Sequence, residues 1–213
     1  MPSAISKTQQ LVKTVYPLIR MALIKQFIDF HDPNLSEKQR TLFTSNMHVK
    51  QYKKGDFIVK QGEIPSKFYI LTKGVLRSFI TDTQGNENIR TIFTPISTSG
   101  SLSSLITKTA SNASYDCLTD VELLEGDFNI FRKNTQEHKE MSLFYNKVLE
   151  SLFVKTEKRF YELSVLNSTE RYLRLKEEIP NIENLIPQYH IASYLNITAV
   201  QLSRIRKKLY ATN

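Results

Sequence analysis

The chain has 213 residues, a formal net charge of +8 and 40% hydrophobic residues, a composition typical of a globular protein that can bury a core without covalent cross-links. The single cysteine, Cys117, excludes a disulfide framework and any four-thiolate metal site within one chain. The four histidines are scattered without a metal-ligand spacing, so we expect neither a metal site nor another cofactor.

Neither a membrane span nor a secretory signal is predicted. No segment approaches the roughly 18 consecutive apolar residues that a membrane helix needs. Arg20 and Lys25 interrupt the apolar runs near the N-terminus, which is unlike a signal peptide. We therefore expect a cytoplasmic protein with no membrane partner, and the excess positive charge indicates an acidic one.

Residues 1–49 are predicted to be helical. Apolar residues recur at three- and four-residue spacings from Leu18 to Phe30, as in an amphipathic helix. Ser36 and Gln39 have the spacing of a capping box and predict the start of a second helix.

Short strands are predicted for residues 50–128. All six glycines lie between Gly55 and Gly126, where they separate apolar runs rich in aromatic and β-branched residues. Gly85 fits a hairpin turn that needs a positive φ. This pattern predicts a compact antiparallel fold, either a jelly-roll-like barrel or a sandwich, and we call this region the β-roll.

Residues 129–166 predict one long helix, because no glycine or proline interrupts them. Such a helix is about 50 Å long, and its apolar spacing is close to that of a coiled-coil seam. We predict a dimerisation helix, with the alternative that it packs only on its own roll. The predicted seam contains Met141, Tyr145, Val148, Leu152, Thr156, Phe160 and Leu163.

Residues 167–213 predict a helix-turn-helix. Ala192 is small where two helices cross, Asn196 tolerates the left-handed backbone of the turn, and Thr198 is a good N-cap for the second helix. Apolar residues occupy the positions that the motif buries: Ile191, Leu195, Ile197, Leu202 and Ile205.

The second helix of this motif would expose a polar and basic face. In a helix-turn-helix, such a face enters the major groove and contacts base edges and phosphates. We predict Arg204 for a guanine and Gln201 for an adenine or a phosphate. The alternative is a helical hairpin with a solvated basic face. The predicted DNA-binding residues are Thr198, Ala199, Val200, Gln201, Ser203, Arg204, Lys207 and Lys208.

The order of these regions resembles the cyclic-AMP receptor protein/fumarate–nitrate regulator (Crp/Fnr) family of bacterial transcription regulators. The matching stretches are residues 54–63, 68–74 and 191–209, and residues 170–173 and 187–189 look like a branch common in Bacteroidetes-type bacteria. The resemblance implies an α+β fold and a dimeric transcription regulator. Its implied partners are double-stranded DNA, a second copy of the chain and, as a further candidate, RNA polymerase. The few residues after the second helix imply a truncated wing.

The candidate effector pocket departs from the cyclic-nucleotide binders of this family. Their Gly-Glu pair is Gly100-Ser101 here, and their Arg-Ser or Arg-Thr pair falls at residues 111–114, which contain no arginine. A buried phosphate would then lack its counter-charge. We expect the roll to bind neither cyclic AMP nor cyclic GMP, but an unknown effector or none. The candidate pocket residues are Gly100, Ser101, Leu102, Ser111, Asn112 and Ser114.

Two arginines in predicted strands, Arg77 and Arg90, either point into the roll toward an anion or, as is commoner, lie on the surface. Cys117 is expected to pack inside the roll.

Two other function classes are alternatives to a DNA-binding regulator. A sensing or protein-interaction module that no longer reads DNA would dock its basic helix on an acidic protein. An enzyme on a cupin-like roll would need histidine and carboxylate ligands on neighbouring strands, and the predicted strands contain no histidine.

Overall fold

The computed structural model describes residues 20–211. Leu18 and the rest of residues 1–19 therefore lie outside the described part, as do residues 212–213, where a wing would continue. The helices are α1 (20–31), α2 (Glu37–Ser45), α3 (Leu102–Thr107), α4 (Phe128–Glu137), α5 (Lys139–Val165), α6 (Ser168–Glu178), α7 (Ile182–Leu185), α8 (Gln188–Tyr194) and α9 (Ala199–Tyr210).

The strands form the predicted antiparallel roll. They make two four-stranded sheets, ordered β1-β8-β3-β6 and β2-β7-β4-β5. Together with the C-terminal helices, they confirm the α+β fold class. The strands are β1 (Met47–Tyr52), β2 (Phe57–Val59), β3 (Lys67–Lys73), β4 (Leu76–Thr81), β5 (Glu87–Phe93), β6 (Thr98–Ser99), β7 (Ser114–Cys117) and β8 (Val121–Asp127).

Strand β1 begins before the predicted roll boundary and contains His48, so the expectation that the roll strands lack histidine was wrong. Its residues are exposed or half-buried throughout, and they therefore lack the apolar alternation by which a strand is recognised. Its pairing with β8 defines it instead.

The two faces of sheet β1-β8-β3-β6 contribute to different cores. Tyr69 and Leu71 belong to the interior of the roll, whereas Ile70 between them packs with helical residues such as Phe27 and Phe144. This alternation follows from the two-residue repeat of a strand. The helices α1, α2, α4 and α5 thus cover the outer face of this sheet.

Helix α2 begins after Ser36, as predicted, but without the predicted capping box. The Ser36 side chain makes no capping hydrogen bond. The backbone N–H of Ser36 donates to the carboxylate of Glu140 at 3.3 Å, and the Gln39 side chain is buried. A tertiary contact with α5 has replaced the local one.

The predicted single long helix is two helices, α4 and α5. His138 separates them with extended backbone (φ −129°, ψ 115°). Asp127 caps α4 by accepting from the N–H groups of Asn129 and Ile130. Helix α5 has 27 residues and is therefore about 40 Å long. His138 is neither a glycine nor a proline, which is why the sequence pattern did not reveal the break between the two helices.

The helix-turn-helix is formed by α8 and α9. Asn196 takes the predicted left-handed conformation at φ +53°, and Thr198 caps α9 in a capping box with Gln201. Asn167 and Glu170 likewise form a capping box at the start of α6. The predicted core positions are buried or packed against the core: Ile191, Leu195, Ile197, Leu202 and Ile205.

None of the described helices has the length and apolar character that would let it cross a bilayer. Within residues 20–211, no three His, Cys, Asp or Glu side chains are grouped so that they would hold a metal ion.

Candidate nucleic-acid interface and effector pocket

The face of α9 predicted to contact DNA is fully exposed. This holds for every residue in the predicted set: Thr198, Ala199, Val200, Gln201, Ser203, Arg204, Lys207 and Lys208. Lys207 and Lys208 lie in the last turn of the helix, and its first turn has no acidic residue. The surface is therefore accessible along its length and basic in its C-terminal half, as an approach to phosphates requires.

Two members of this face also stabilise the start of α9. The Thr198 hydroxyl accepts from the backbone N–H of Gln201 at 3.1 Å, and the side-chain amide oxygen Oε1 of Gln201 accepts from the backbone N–H of Thr198 at 2.8 Å. The capping box uses the acceptor of Gln201 and leaves its amide donors for another partner. We therefore favour a phosphate over an adenine for Gln201, because an adenine needs both donor and acceptor.

The buried flank of α9 is anchored by a carboxylate that sequence reasoning missed. Glu183 accepts hydrogen bonds from the hydroxyls of Tyr172 and Tyr210, each at 2.6 Å. It also forms ion pairs with Arg206 at 2.6 Å and with Lys176 at 3.4 Å. Burial alone would raise the pKa of Glu183, but these partners lower it to about 2. Arg206 thus serves the fold, whereas Arg204, Lys207 and Lys208 are left exposed.

Arg77 is buried, contrary to the commoner expectation of a surface arginine. Its side chain forms a two-point hydrogen bond with Asp116, at 2.7 and 2.9 Å, and an ion pair with Glu87 at 2.6 Å. The guanidinium also donates to Nδ1 of His190 in α8 at 3.3 Å. Burial, and then the charge of Arg77, lower the pKa of His190 to about 4. Arg90, by contrast, is exposed.

A second contact joins α8 to the roll at the edge strand β5. The Ser193 hydroxyl donates to the carbonyl of Glu87 at 2.9 Å and accepts from the N–H of Ile89 at 3.0 Å. These are edge groups that would otherwise face solvent. On the other side of α8, the guanidinium of Arg159 in α5 lies 3.9 Å from the ring centroid of Tyr194 and donates to the Tyr194 carbonyl.

The predicted dimerisation seam is divided between two environments. Met141, Tyr145 and Val148 belong to the helical core of their own chain, which matches the alternative prediction for this half of the helix. Leu152 is half-buried, whereas Thr156, Phe160 and Leu163 are exposed.

A continuous exposed stripe lies beside this buried half. Phe153, Thr156, Phe160 and Leu163 are exposed and follow steps of three, four and three residues, and half-buried Leu149, which packs against the helical core, precedes Phe153 by four. The side chain of Phe153 is 66% exposed and that of Phe160 is 69% exposed. Sequence reasoning missed Phe153 and Leu149 because the buried and exposed apolar residues of α5 share one helical repeat.

The hydroxyl groups of the candidate effector pocket are bonded within the protein. Ser101 donates to Ser104 at 2.9 Å, and Ser111 donates to the carbonyl of Ala113 at 2.7 Å. Ser114 accepts from the N–H of Gln61 at 3.0 Å. Leu102 is half-buried and Asn112 is exposed, so the six predicted residues do not converge as free groups on one cavity.

Tyr115 closes the same region from β7. Its hydroxyl donates to the carbonyl of Gly100 at 3.1 Å, and its ring packs 6.1 Å from that of Phe93. Cys117, two residues along the strand, is buried, and burial raises the pKa of its thiol to about 12, with Asp56 and Asp116 adding to the effect. The thiol is therefore a packing group in the roll.

Residues 49–138 match the family described as the cyclic nucleotide-binding domain. This match covers less than half of the chain. The matched segment extends from within β1 to the end of α4 and includes the candidate pocket. No curated protein matches the sequence.

Solved structures of Crp/Fnr-type regulators are similar to most of the chain. FixK2 of Bradyrhizobium japonicum has a TM-score of 0.67 and 16% identity, over 78% of this chain and 85% of FixK2. The c-di-GMP responsive global regulator CLP of Xanthomonas campestris has a TM-score of 0.60 and 16% identity, over 83% and 93% of the two chains. The catabolite activator protein of Thermus thermophilus has a TM-score of 0.53 and 21% identity, over 84% and 85%. The roll and the C-terminal helices are thus joined in a Crp/Fnr-type fold.

Proposed function

We propose that this chain is a DNA-binding transcription regulator of the Crp/Fnr type that acts as a dimer and inserts α9 into the major groove. The observation that carries the proposal is the exposed basic face of a capped recognition helix in a helix-turn-helix. The family of the roll and the fold of the whole chain both belong to regulatory proteins, which supports a regulator rather than an enzyme.

The proposed contacts follow from the positions of the side chains along α9. Arg204 is exposed in the middle of the helix, where a two-point contact with a guanine is geometrically accessible. Lys207 and Lys208 lie in the last turn and contact phosphates. Ser203 and the free amide donors of Gln201 add phosphate contacts, which position the helix without reading sequence.

Dimerisation is proposed through the exposed stripe of α5. Its four-three spacing places apolar side chains on one line, as a two-stranded coiled coil requires. The residues that face the partner are then Leu149, Phe153, Thr156, Phe160 and Leu163, with Leu152 at the border. Two copies related by a two-fold axis would present their recognition helices to half-sites about 34 Å apart.

The proposed regulator does not respond to cyclic AMP or cyclic GMP. The pocket offers no arginine within residues 111–114, and the hydroxyls of Ser101, Ser111 and Ser114 already have partners inside the protein. A cyclic phosphate entering here would have to break these bonds and would find no arginine at residues 111–114. The effector is therefore a different small molecule, or the roll acts without one.

The test is the selection and sequencing of DNA fragments bound by the purified protein at about 0.15 M salt, where non-specific binding is weak. We expect a palindromic consensus with half-sites one helical turn apart. Arg204→Ala should lose about 1–3 kcal/mol of binding free energy and relax one base position. Arg174→Ala, which removes an exposed arginine of α6, is the matched control. Binding without sequence preference, or no binding, would contradict the proposal.

A further inference from the structure

The contact between α8 and the roll determines the position of α9, the proposed recognition helix, relative to the roll. Helices α8 and α9 share one apolar core, in which Ile191, Leu195 and Leu202 are almost completely buried. Because such a core resists deformation, α9 moves with α8. Any contact that fixes α8 on the roll therefore also fixes the DNA-binding face.

Two sets of polar contacts fix α8 on the roll. His190 accepts from buried Arg77, which is held by buried Asp116 and by exposed Glu87. One turn further along α8, Ser193 pairs with both the carbonyl and the N–H groups that β5 presents at its edge. The cluster carries complementary charges, and each partner of Arg77 lies on a different element.

The same strands connect this contact to the interior of the roll. On β7, Asp116 points toward α8, whereas its neighbours Tyr115 and Cys117 belong to the interior. Arg77 is paired with Asp116 across β4 and β7, and Leu76 beside it is also interior. The Tyr115 hydroxyl is bonded to Gly100 in the candidate pocket. A displacement of Tyr115 would therefore move the backbone of the residue that orients Arg77.

We propose that Arg77, Asp116 and Ser193 are positioning residues for DNA binding, which form a latch between the roll and α8. The latch holds the recognition helix at the angle that a paired site requires, and it transmits rearrangements at Tyr115 to α9. This inference rests on the proposed DNA-binding function. In the latched state the DNA-contacting face of α9 is exposed, so the latch favours binding and its loss weakens it.

The experiment compares variants of the full chain in DNA binding, amide exchange and unfolding by urea. Ser193→Ala removes the hydroxyl, whereas Ser193→Thr keeps a hydroxyl at this position. Arg77→Met removes the guanidinium but keeps an apolar stem, and Arg90→Met is the control at an exposed arginine of β5. The amide of Ile89 is a direct reporter, because its partner is the Ser193 hydroxyl.

We expect faster exchange at Ile89 and about tenfold weaker DNA binding in Ser193→Ala and in Arg77→Met, because a recognition helix that is correctly placed in about a tenth of molecules binds tenfold more weakly. Ser193→Thr and Arg90→Met should behave like the wild type. The combined Ser193→Ala and Arg77→Met variant should lose little more than either alone, since both open one latch.

Unchanged exchange at Ile89 in Ser193→Ala, or unchanged DNA affinity in folded Ser193→Ala and Arg77→Met, would overturn the latch. Urea unfolding gives the fraction of each variant that is folded. If the loss of DNA affinity is fully explained by a loss of folded protein, the residues are only structural and the proposal is equally wrong. Absence of DNA binding by the wild type would instead refute the proposed function, and Ile89 exchange would still report whether the Ser193 contact exists.

Discussion

Glu183 should be a main determinant of the stability of the helix-turn-helix. Its carboxylate joins α7 to α6 through Tyr172 and to α9 through Tyr210 and Arg206. We consider Glu183→Ala, which removes every one of these bonds, and Glu183→Gln, which keeps the shape and one acceptor but loses the charge.

The expected magnitude follows from the bonds that are lost. Hydrogen bonds to a charged group contribute about 1.5–3 kcal/mol each, and a buried donor left unpaired costs about 1–3 kcal/mol. Tyr172 is fully buried, whereas Tyr210 is 49% exposed and can bind water instead. We therefore expect Glu183→Ala to lower the free energy of unfolding by about 2–4 kcal/mol, and Glu183→Gln by about 1–2 kcal/mol.

The assay is urea unfolding followed by far-ultraviolet circular dichroism, because the chain has no tryptophan. The matched control is Glu177→Ala, whose carboxylate is 70% exposed and pairs with Arg174 at 3.6 Å. An exposed pair of this kind contributes about 0–1 kcal/mol. If Glu183→Ala and Glu177→Ala destabilise the protein equally, the proposed role of Glu183 as the anchor of α9 is refuted.

Three further predictions concern assembly, pH and ligand. Phe160→Asp should convert the dimer to a monomer in sedimentation, whereas Val154→Asp, equally exposed but off the stripe, should not; equal behaviour would reject the stripe. His190 binds its proton more weakly in the folded state, with a pKa of about 4 against a normal 6.5, so stability is fully present above pH 6.5 and falls as the pH drops toward 4. The loss has an upper limit of about 3 kcal/mol and, with solvent screening, an expected size of about 1–2 kcal/mol; His190→Gln should flatten this limb, and an unchanged limb would contradict the assignment. Cyclic AMP should leave the melting temperature unchanged. A ligand present at 100 times its Kd would instead add about 2.7 kcal/mol to the free energy of unfolding and raise the melting temperature.

Sequence patterns predicted the features whose cause is local. Asn196 and Thr198 occupy the turn and the cap of the helix-turn-helix because their own side chains favour those conformations. The apolar strands of the roll, which glycines separate, were predictable for the same reason, as was the hairpin turn with Gly85 at φ +86°. In each case the conformation is determined by residues that are close together in the chain.

The features that sequence reasoning missed have causes that lie far apart in the chain. Arg77 and His190 are separated by 113 residues, and neither has a local pattern that distinguishes a buried pair from two surface residues. The N–H of Ser36 is satisfied by Glu140 rather than by a local cap. Helix α5 gave a misleading seam because two apolar stripes, one facing its own core and one exposed, overlap in a single helical repeat.

Helix α8 lies between the roll and α5 and has contacts with both. It contacts the roll through Arg77 and Ser193 and contacts α5, the helix proposed for dimerisation, through Arg159. If two copies pair along α5, a shift of either the roll or the partner helix must change the same contacts. The separation of the two recognition helices then depends on how these contacts balance. The latch and the exposed stripe should therefore be energetically coupled, so that Phe160→Asp reduces the effect of Ser193→Ala on DNA binding.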